Sequence, residues 1–172
     1  MKKVLLVVAH KDYRDEEYEN TRSALESSGV SVAVASVGTE DAEGIKGGRA
    51  KVDILLKDAS VEDFDGVAFI GGPGSKSYVG QSDASGLARE FLSRGKAVGA
   101  ICYAPAILAK AGILSGRNAT GWKTDDNHEV PDLIAREGGI YSDNSVVVDG
   151  KVVTAFNHLS AKEFGETLAK ML

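Results

Sequence analysis

The chain has one cysteine, and the residues around it make it a candidate nucleophile. The stretch 96–116 reads KAVGAICYAPAILAKAGILSG. Ala97 to Ile101 is a short run of small and β-branched apolar residues, the composition of a buried strand. Pro105 follows Cys102 by three residues, where a first helical turn accepts proline because that N–H has no intrahelical partner. Ala106 to Ala111 are mostly strong helix formers, and Gly112 supplies a left-handed stop. Cys102 therefore falls at a strand-to-helix turn, with Ala100 and Ala104 two residues to either side. The A-x-C-x-A pattern meets the steric demand of a nucleophile elbow, whose G-x-S-x-G form needs small flanks because the turn is tight. Unpaired N–H groups at the helix start favour a thiolate, so a depressed thiol pKa is expected. The competing reading is a buried structural thiol, since free cysteine is among the most buried residue types.

Other reactive side chains are open to two readings each. Gly71-Gly72-Pro73-Gly74 directly follows an apolar run, and such a loop lets backbone N–H groups approach a ligand. It matches neither phosphate-binding glycine pattern. Glu16 and Glu17 read as ordinary solvated carboxylates unless the fold brings one beside Cys102. Arg14 and Asp15 read as a salt bridge, either at a helix start or across a subunit interface. Asp125, Asp126, His128 and Glu129 are acidic and imidazole groups close in sequence, but their spacing fits no zinc or calcium pattern, so no metal and no cofactor is expected. His128 then reads as part of a solvated loop. His158, at the end of a strand, is either a site residue or a loop histidine before a cap at Ser160. Tyr103 and Trp122 are candidate pocket walls, or core packing.

The elements that must position these groups alternate in kind. Strands are expected at Val4 to Ala9, Val30 to Val37, Ala50 to Leu56 (a hairpin or edge), Gly66 to Ile70, Ala97 to Ile101 and Arg117 to Gly121. Ser145 to Val148 and Val152 to Ala155 flank Asp149-Gly150, a type I′ hairpin signal. Helices are expected from Asp12 or Asp15 as cap to Ser28, over Asp83 to Arg94, over Pro131 to Glu137, and from Ser160, with Glu163 completing a capping box. His10 to Asp15 and Thr39 to Gly48 read as loops. The alternation predicts one α/β domain over residues 1–172: a three-layer α/β/α sandwich on a mostly parallel, doubly wound sheet. Ligands of such sheets bind beyond the carboxyl ends of the strands, so the loops at His10 to Glu17, Gly71 to Gly74 and Cys102-Tyr103 are expected to converge.

Composition narrows the setting. Of 172 residues, 43% are apolar and 26% charged, with net charge −5, which disfavours nucleic acid or an anionic membrane as partner. The apolar run at Val4 to Ala9 is too short for a signal peptide and reads as a first strand. One cysteine excludes an internal disulfide framework, and a cytoplasmic setting is expected.

YRDEEY after the first strand, GGPG after the central one, AICYAPAILAKAGILSG, and the closing VVVDGKVVTA hairpin together resemble the PfpI family. That superfamily also holds the parkinsonism-associated deglycase and the class I glutamine amidotransferase domains. The resemblance spans nearly the whole chain and implies a flavodoxin-like fold. It implies Cys102 as nucleophile and Glu17 as its acidic partner, twelve residues before Gly29, with Glu16 as the runner-up. It implies an oxyanion hole from the N–H groups of Gly72 and Tyr103, and a homodimer or larger ring. The chain departs from the pattern at two histidines. The one that follows the cysteine in PfpI-type peptidases is Tyr103, and the one about twenty residues on is Trp122. A Cys-His dyad would have to recruit His128, His158 or His10, and the amidotransferases' His-x-Glu pair has no match at His158-Leu159-Ser160. The implied activity is glyoxalase- or deglycase-like chemistry on small or protein-linked carbonyls, or peptidase-type hydrolysis. The alternatives are an oxidative-stress sensor or chaperone that works by Cys102 oxidation, and a member whose site has decayed.

Overall fold

The apolar runs at 4–9, 66–70 and 97–101 become neighbouring strands of one sheet in the computed structural model, which describes all 172 residues. In chain order the strands are β1 (Lys3–Val7), β2 (Lys11–Tyr13), β3 (Ser31–Ser36), β4 (Ala42–Gly44), β5 (Arg49–Ala50), β6 (Ile54–Leu55), β7 (Gly66–Phe69), β8 (Ala97–Ile101), β9 (Asn118–Ala119), β10 (Ile140–Tyr141), β11 (Val146–Asp149) and β12 (Val152–Ala155). The helices are α1 (Asp15–Ser27), α2 (Ser82–Ser93), α3 (Pro105–Lys110), α4 (Glu129–Arg136) and α5 (Ala161–Met171). The main sheet has the order β11-β12-β8-β7-β1-β3-β6, parallel except where β11 returns against β12.

Successive strand residues point to opposite faces, so an unbroken apolar strand feeds two cores. Leu5, Val7, Val67, Phe69, Val98 and Ala100 pack with Phe91 of α2, Ile107 of α3 and Ile134 of α4. Val4, Leu6, Ala68, Ile70, Ala97 and Ile101 pack with Leu25 of α1 and Phe164 of α5. This is the three-layer α/β/α sandwich expected from the alternation of elements. No helix is long and apolar enough to cross a membrane.

Local details differ from expectation where side chains compete for backbone groups. Ala50 to Leu56 is not one strand. Asp53 accepts from Val34 N–H at 2.9 Å and returns its own N–H to Val34 O, which transfers the chain from one sheet to another. The stretch at 39–48 contains β4, which joins β2 and β5 in a three-stranded sheet. Arg117 to Gly121 contributes only β9, paired with β10 outside the main sheet. The hairpin turn is centred on Gly150-Lys151, because Asp149 pairs with Val152. Only Gly150 has positive φ, so the turn has type II′ character rather than I′. Ser160 makes no capping bond at α5, and Glu163 accepts from Ser145 instead. Neither Asp12 nor Asp15 caps α1. Arg14 takes the cap position, and the Asp15 carboxylate binds the N–H groups of Lys46 and Gly48 at 2.9 and 2.8 Å.

Candidate active site

Beyond the carboxyl ends of β1, β7 and β8, three segments meet. β8 ends at Ile101, and Cys102 turns the chain with φ +62°, a left-handed conformation that costs a non-glycine residue on the order of 1–3 kcal/mol. Bonds on both sides hold it there. Cys102 N–H donates to Ala155 O at 2.9 Å, and Cys102 O accepts from Trp122 N–H at 2.8 Å. The buried Ala100 and Ala104 leave room for this turn, as the elbow pattern requires. Gly121 is tight for a related reason: a Cβ there would stand 2.6 Å from Val130 and 3.2 Å from Cys102 O.

The second segment is the glycine loop. Gly71 N–H donates to Glu17 Oε2 at 2.9 Å, and Gly71 O accepts from Arg14 N–H at 3.0 Å. A Cβ on Gly71 would lie 2.7 Å from that carboxylate oxygen and 2.9 Å from Cys102 Cβ. Glycine here lets the carboxyl of α1 and the thiol of the elbow close on either side of one residue. Gly72 has φ +107°, and a Cβ on it would meet Arg14 N at 2.5 Å. Its N–H has no protein hydrogen-bond partner, and that of Tyr103 bonds no protein oxygen and faces the Cys102 sulfur.

Glu17 is fully buried, and its Oε1 has no partner of hydrogen-bond geometry. Burial raises its carboxyl to about 8, against the opposing influence of the Cys102 thiol and the Gly71 N–H. Burial likewise pushes the Cys102 thiol well above its ordinary value; the Glu17 charge adds to that, while the Tyr103 N–H and the Arg14 charge oppose it. The depressed thiol pKa expected from the elbow is thus corrected, because α3 begins only at Pro105 and desolvation of the sulfur outweighs the turn's N–H groups. Thiol and carboxyl titrate as a pair, and burial acts on both toward the protonated form. Glu16, the neighbouring carboxylate, lies elsewhere. It binds Arg14 Nε at 2.9 Å and the Lys46 ammonium, and the Lys46 bond, first among its causes, holds it down at about 2. Arg14 and Asp15 do not pair with each other.

Cys102 is partly exposed at the bottom of a cleft of about 320 Å³. Gly72, Tyr103 and Trp122 line it, as do Arg14, Lys76 and Asn127, which sequence reasoning did not assign to a pocket. No histidine lines it. His128 is exposed at the start of α4, its Nε2 3.3 Å from Asp125 O, and His158 lies in a turn before α5. His10 packs its ring on Gly38, with Nδ1 buried and unpartnered. Asp125, Asp126, His128 and Glu129 do not gather into a ligand cluster. Glu129 instead accepts from the Tyr103 hydroxyl at 2.6 Å and from Lys76 Nζ at 3.1 Å. The Lys76 ammonium also stands 4.9 Å over the Tyr103 ring. Lys76 follows the glycine loop by two residues and Arg14 precedes α1 by one, so adjacency to the two backbone motifs was the available signal for both.

Known proteins share this arrangement of elements. The protein is 37% identical over 171 residues to the uncharacterized protein MJ0967 of Methanocaldococcus jannaschii, covering 99% of this chain and 82% of that one. It is 31% identical to the deglycase PH1704 of Pyrococcus horikoshii, over 89% of each chain. It is 28% identical to the glutathione-independent glyoxalase DJR-1.2 of Caenorhabditis elegans, over 99% of this chain and 89% of that one. The crystal structure of a ThiJ/PfpI domain protein from Brachyspira murdochii superposes with a TM-score of 0.92 at 30% identity, over 98% and 95% of the two chains. The DJ-1/PfpI family model matches residues 2–171, and with it the sheet, the elbow and the glycine loop together place this chain in the DJ-1/PfpI family.

Proposed function

We propose that the protein is a cysteine-dependent enzyme acting on small reactive carbonyls, 2-oxoaldehydes above all, and on protein-linked adducts of the same compounds. The observation that carries this is the pair of N–H groups, on Gly72 and Tyr103, whose residues line the Cys102 cleft and which bond no protein oxygen, together with the buried Glu17 carboxyl beside the thiol. In the molecules where Glu17 is ionised, its carboxylate takes the thiol proton and the sulfur adds to the aldehyde carbon. The carbonyl π pair moves to oxygen, where the two N–H groups receive the charge. The proton on Glu17 passes to that oxygen and gives a hemithioacetal. The Glu17 carboxylate then removes the C–H proton and returns it at the neighbouring carbon, while the hydroxyl proton passes to the neighbouring oxygen, leaving a 2-hydroxy thioester. Water cleaves the thioester and restores the thiol. The sum is a 2-oxoaldehyde plus water giving a 2-hydroxy acid, with no external oxidant. Glu17 is the one acid and base at hand, which suits carbonyls that are already electrophilic better than it suits peptide bonds.

The test is conversion of methylglyoxal to lactate by the purified protein. Cys102→Ser is expected to abolish it, and Glu17→Gln to lower kcat by at least about 10²-fold. Turnover in Cys102→Ser equal to wild type would sink the reading.

A second reading rests on the free Oε1 of Glu17. A protonated carboxyl there can donate to an oxidised sulfur, so peroxide would convert Cys102 to a stable sulfinate and make the protein a sensor. Stoichiometric uptake of two oxygen atoms at Cys102, without methylglyoxal turnover in the reduced protein, would favour it.

A further inference from the structure

The cleft is asymmetric in charge in a way the proposed chemistry does not use. Two of its lining side chains are cations, Arg14 and Lys76, and none is a carboxylate. Arg14 lines the cleft with Gly72, against which its backbone packs, and the Lys76 ammonium stands 4.9 Å over the ring of Tyr103. Arg14 spends only Nε on Glu16, which leaves both Nη groups without a protein partner. Lys76 makes one bond, to a Glu129 oxygen, and keeps donors in reserve; Glu129 divides itself between Lys76 and the Tyr103 hydroxyl. Asn127 lines the same cleft with its Oδ1 taken by the Glu129 N–H, so its amide group is left as a donor. The one carboxyl behind the sulfur, Glu17, is neutral at pH 7 because burial lifts it to about 8. An anion entering the cleft therefore meets donors and positive charge, on a chain whose net charge is −5.

We infer that the preferred substrate is a 2-oxoaldehyde that carries a carboxylate beyond its dicarbonyl unit, bound by the Nη groups of Arg14 and by Lys76, so that the protein selects anionic dicarbonyl compounds over neutral ones. A planar guanidinium with both Nη groups free matches a carboxylate by geometry as well as charge. This rests on the reading of Cys102 as the reacting group and names the substrate class for it.

The experiment compares two alkylating agents that differ only in charge, iodoacetate and iodoacetamide, by their second-order rates at Cys102 at pH 7. It needs no turnover, so failure of the carbonyl chemistry and failure of the anion site remain distinguishable. Changes in thiol ionisation cancel in the ratio of the two rates. An isolated thiolate repels iodoacetate and gives a ratio below one. The cleft is expected to give a ratio above one that falls as salt rises, because the cations are partly exposed. Arg14→Met and Lys76→Met are each expected to lower the ratio by about three- to tenfold, as loss of one charge-assisted contact would. A wild-type ratio below one, or a ratio that neither substitution moves, overturns the inference. Arg14→Lys separates geometry from charge: retention of less than half of the wild-type ratio supports recognition by the guanidinium fork, and full retention overturns it.

Discussion

At the scale of single residues, Glu17 has the largest consequence. Its carboxyl is fully buried and titrates at about 8 in the folded protein, against 4.5 when exposed. Between those values the unfolded chain has released a proton that the folded chain keeps. Stability from this group is therefore complete below about pH 4.5 and is lost as the pH rises through about 8. The loss is on the order of 3–5 kcal/mol. Urea unfolding at pH 5 and pH 8 measures it, and Glu17→Gln is expected to remove most of the difference and to exceed wild type in stability at pH 8. An unchanged slope in Glu17→Gln would show that the carboxyl is ionised in the fold. The same pair governs reactivity. Alkylation of Cys102 by iodoacetamide is expected to rise with a midpoint above the ordinary thiol range, because burial and the Glu17 charge both hold the proton on sulfur. In Glu17→Gln the midpoint is expected to move down, to the value set by burial of the sulfur alone. These residues were only partly legible beforehand. The elbow fixes where Cys102 sits, but its pKa depends on what encloses the sulfur, and no local pattern contains that.

At the scale of elements, the glycines separate two kinds of constraint. Gly72 sits at φ +107° with backbone pressed against its Cβ position, so Gly72→Ala is expected to cost more than about 2 kcal/mol and to remove Cys102 reactivity toward substrate. Gly86 lies within α2 with open space around it, so Gly86→Ala is expected to stabilise by about 0.5–1 kcal/mol and leave the site alone. Urea midpoints of the two variants check both signs. Strands β1, β7 and β8 were legible because a parallel strand buried on both faces must be a continuous apolar run. The small sheet of β2, β4 and β5 was not. Its strands have two or three residues each, and long-range hydrogen bonds rather than apolar pattern create them. The caps failed for a similar reason: Asp15 and Glu163 had the right spacing for local bonds but found partners in Lys46, Gly48 and Ser145.

At the scale of the whole molecule, the alternation of strands and helices gave the doubly wound architecture, and the rule that such sheets bind ligands at their carboxyl ends led to the right three loops. What it could not give was the wall contributed from a distance. Lys76 and Glu129 meet only because the glycine loop and the start of α4 fold to one rim, and their 53-residue separation carries no sequence signal. The same geometry has a kinetic side. Gly71 joins Glu17 across 54 residues of chain, and Cys102 arrives from a third segment held by Ala155. Contacts of such long range form only after the chain has closed its large loops. No fragment of this protein holds the thiol, the carboxyl and the two N–H groups together. The chemistry appears in one event, with docking of α1, β7, β8 and β12, and the titration of Cys102 during refolding is a clock for that event.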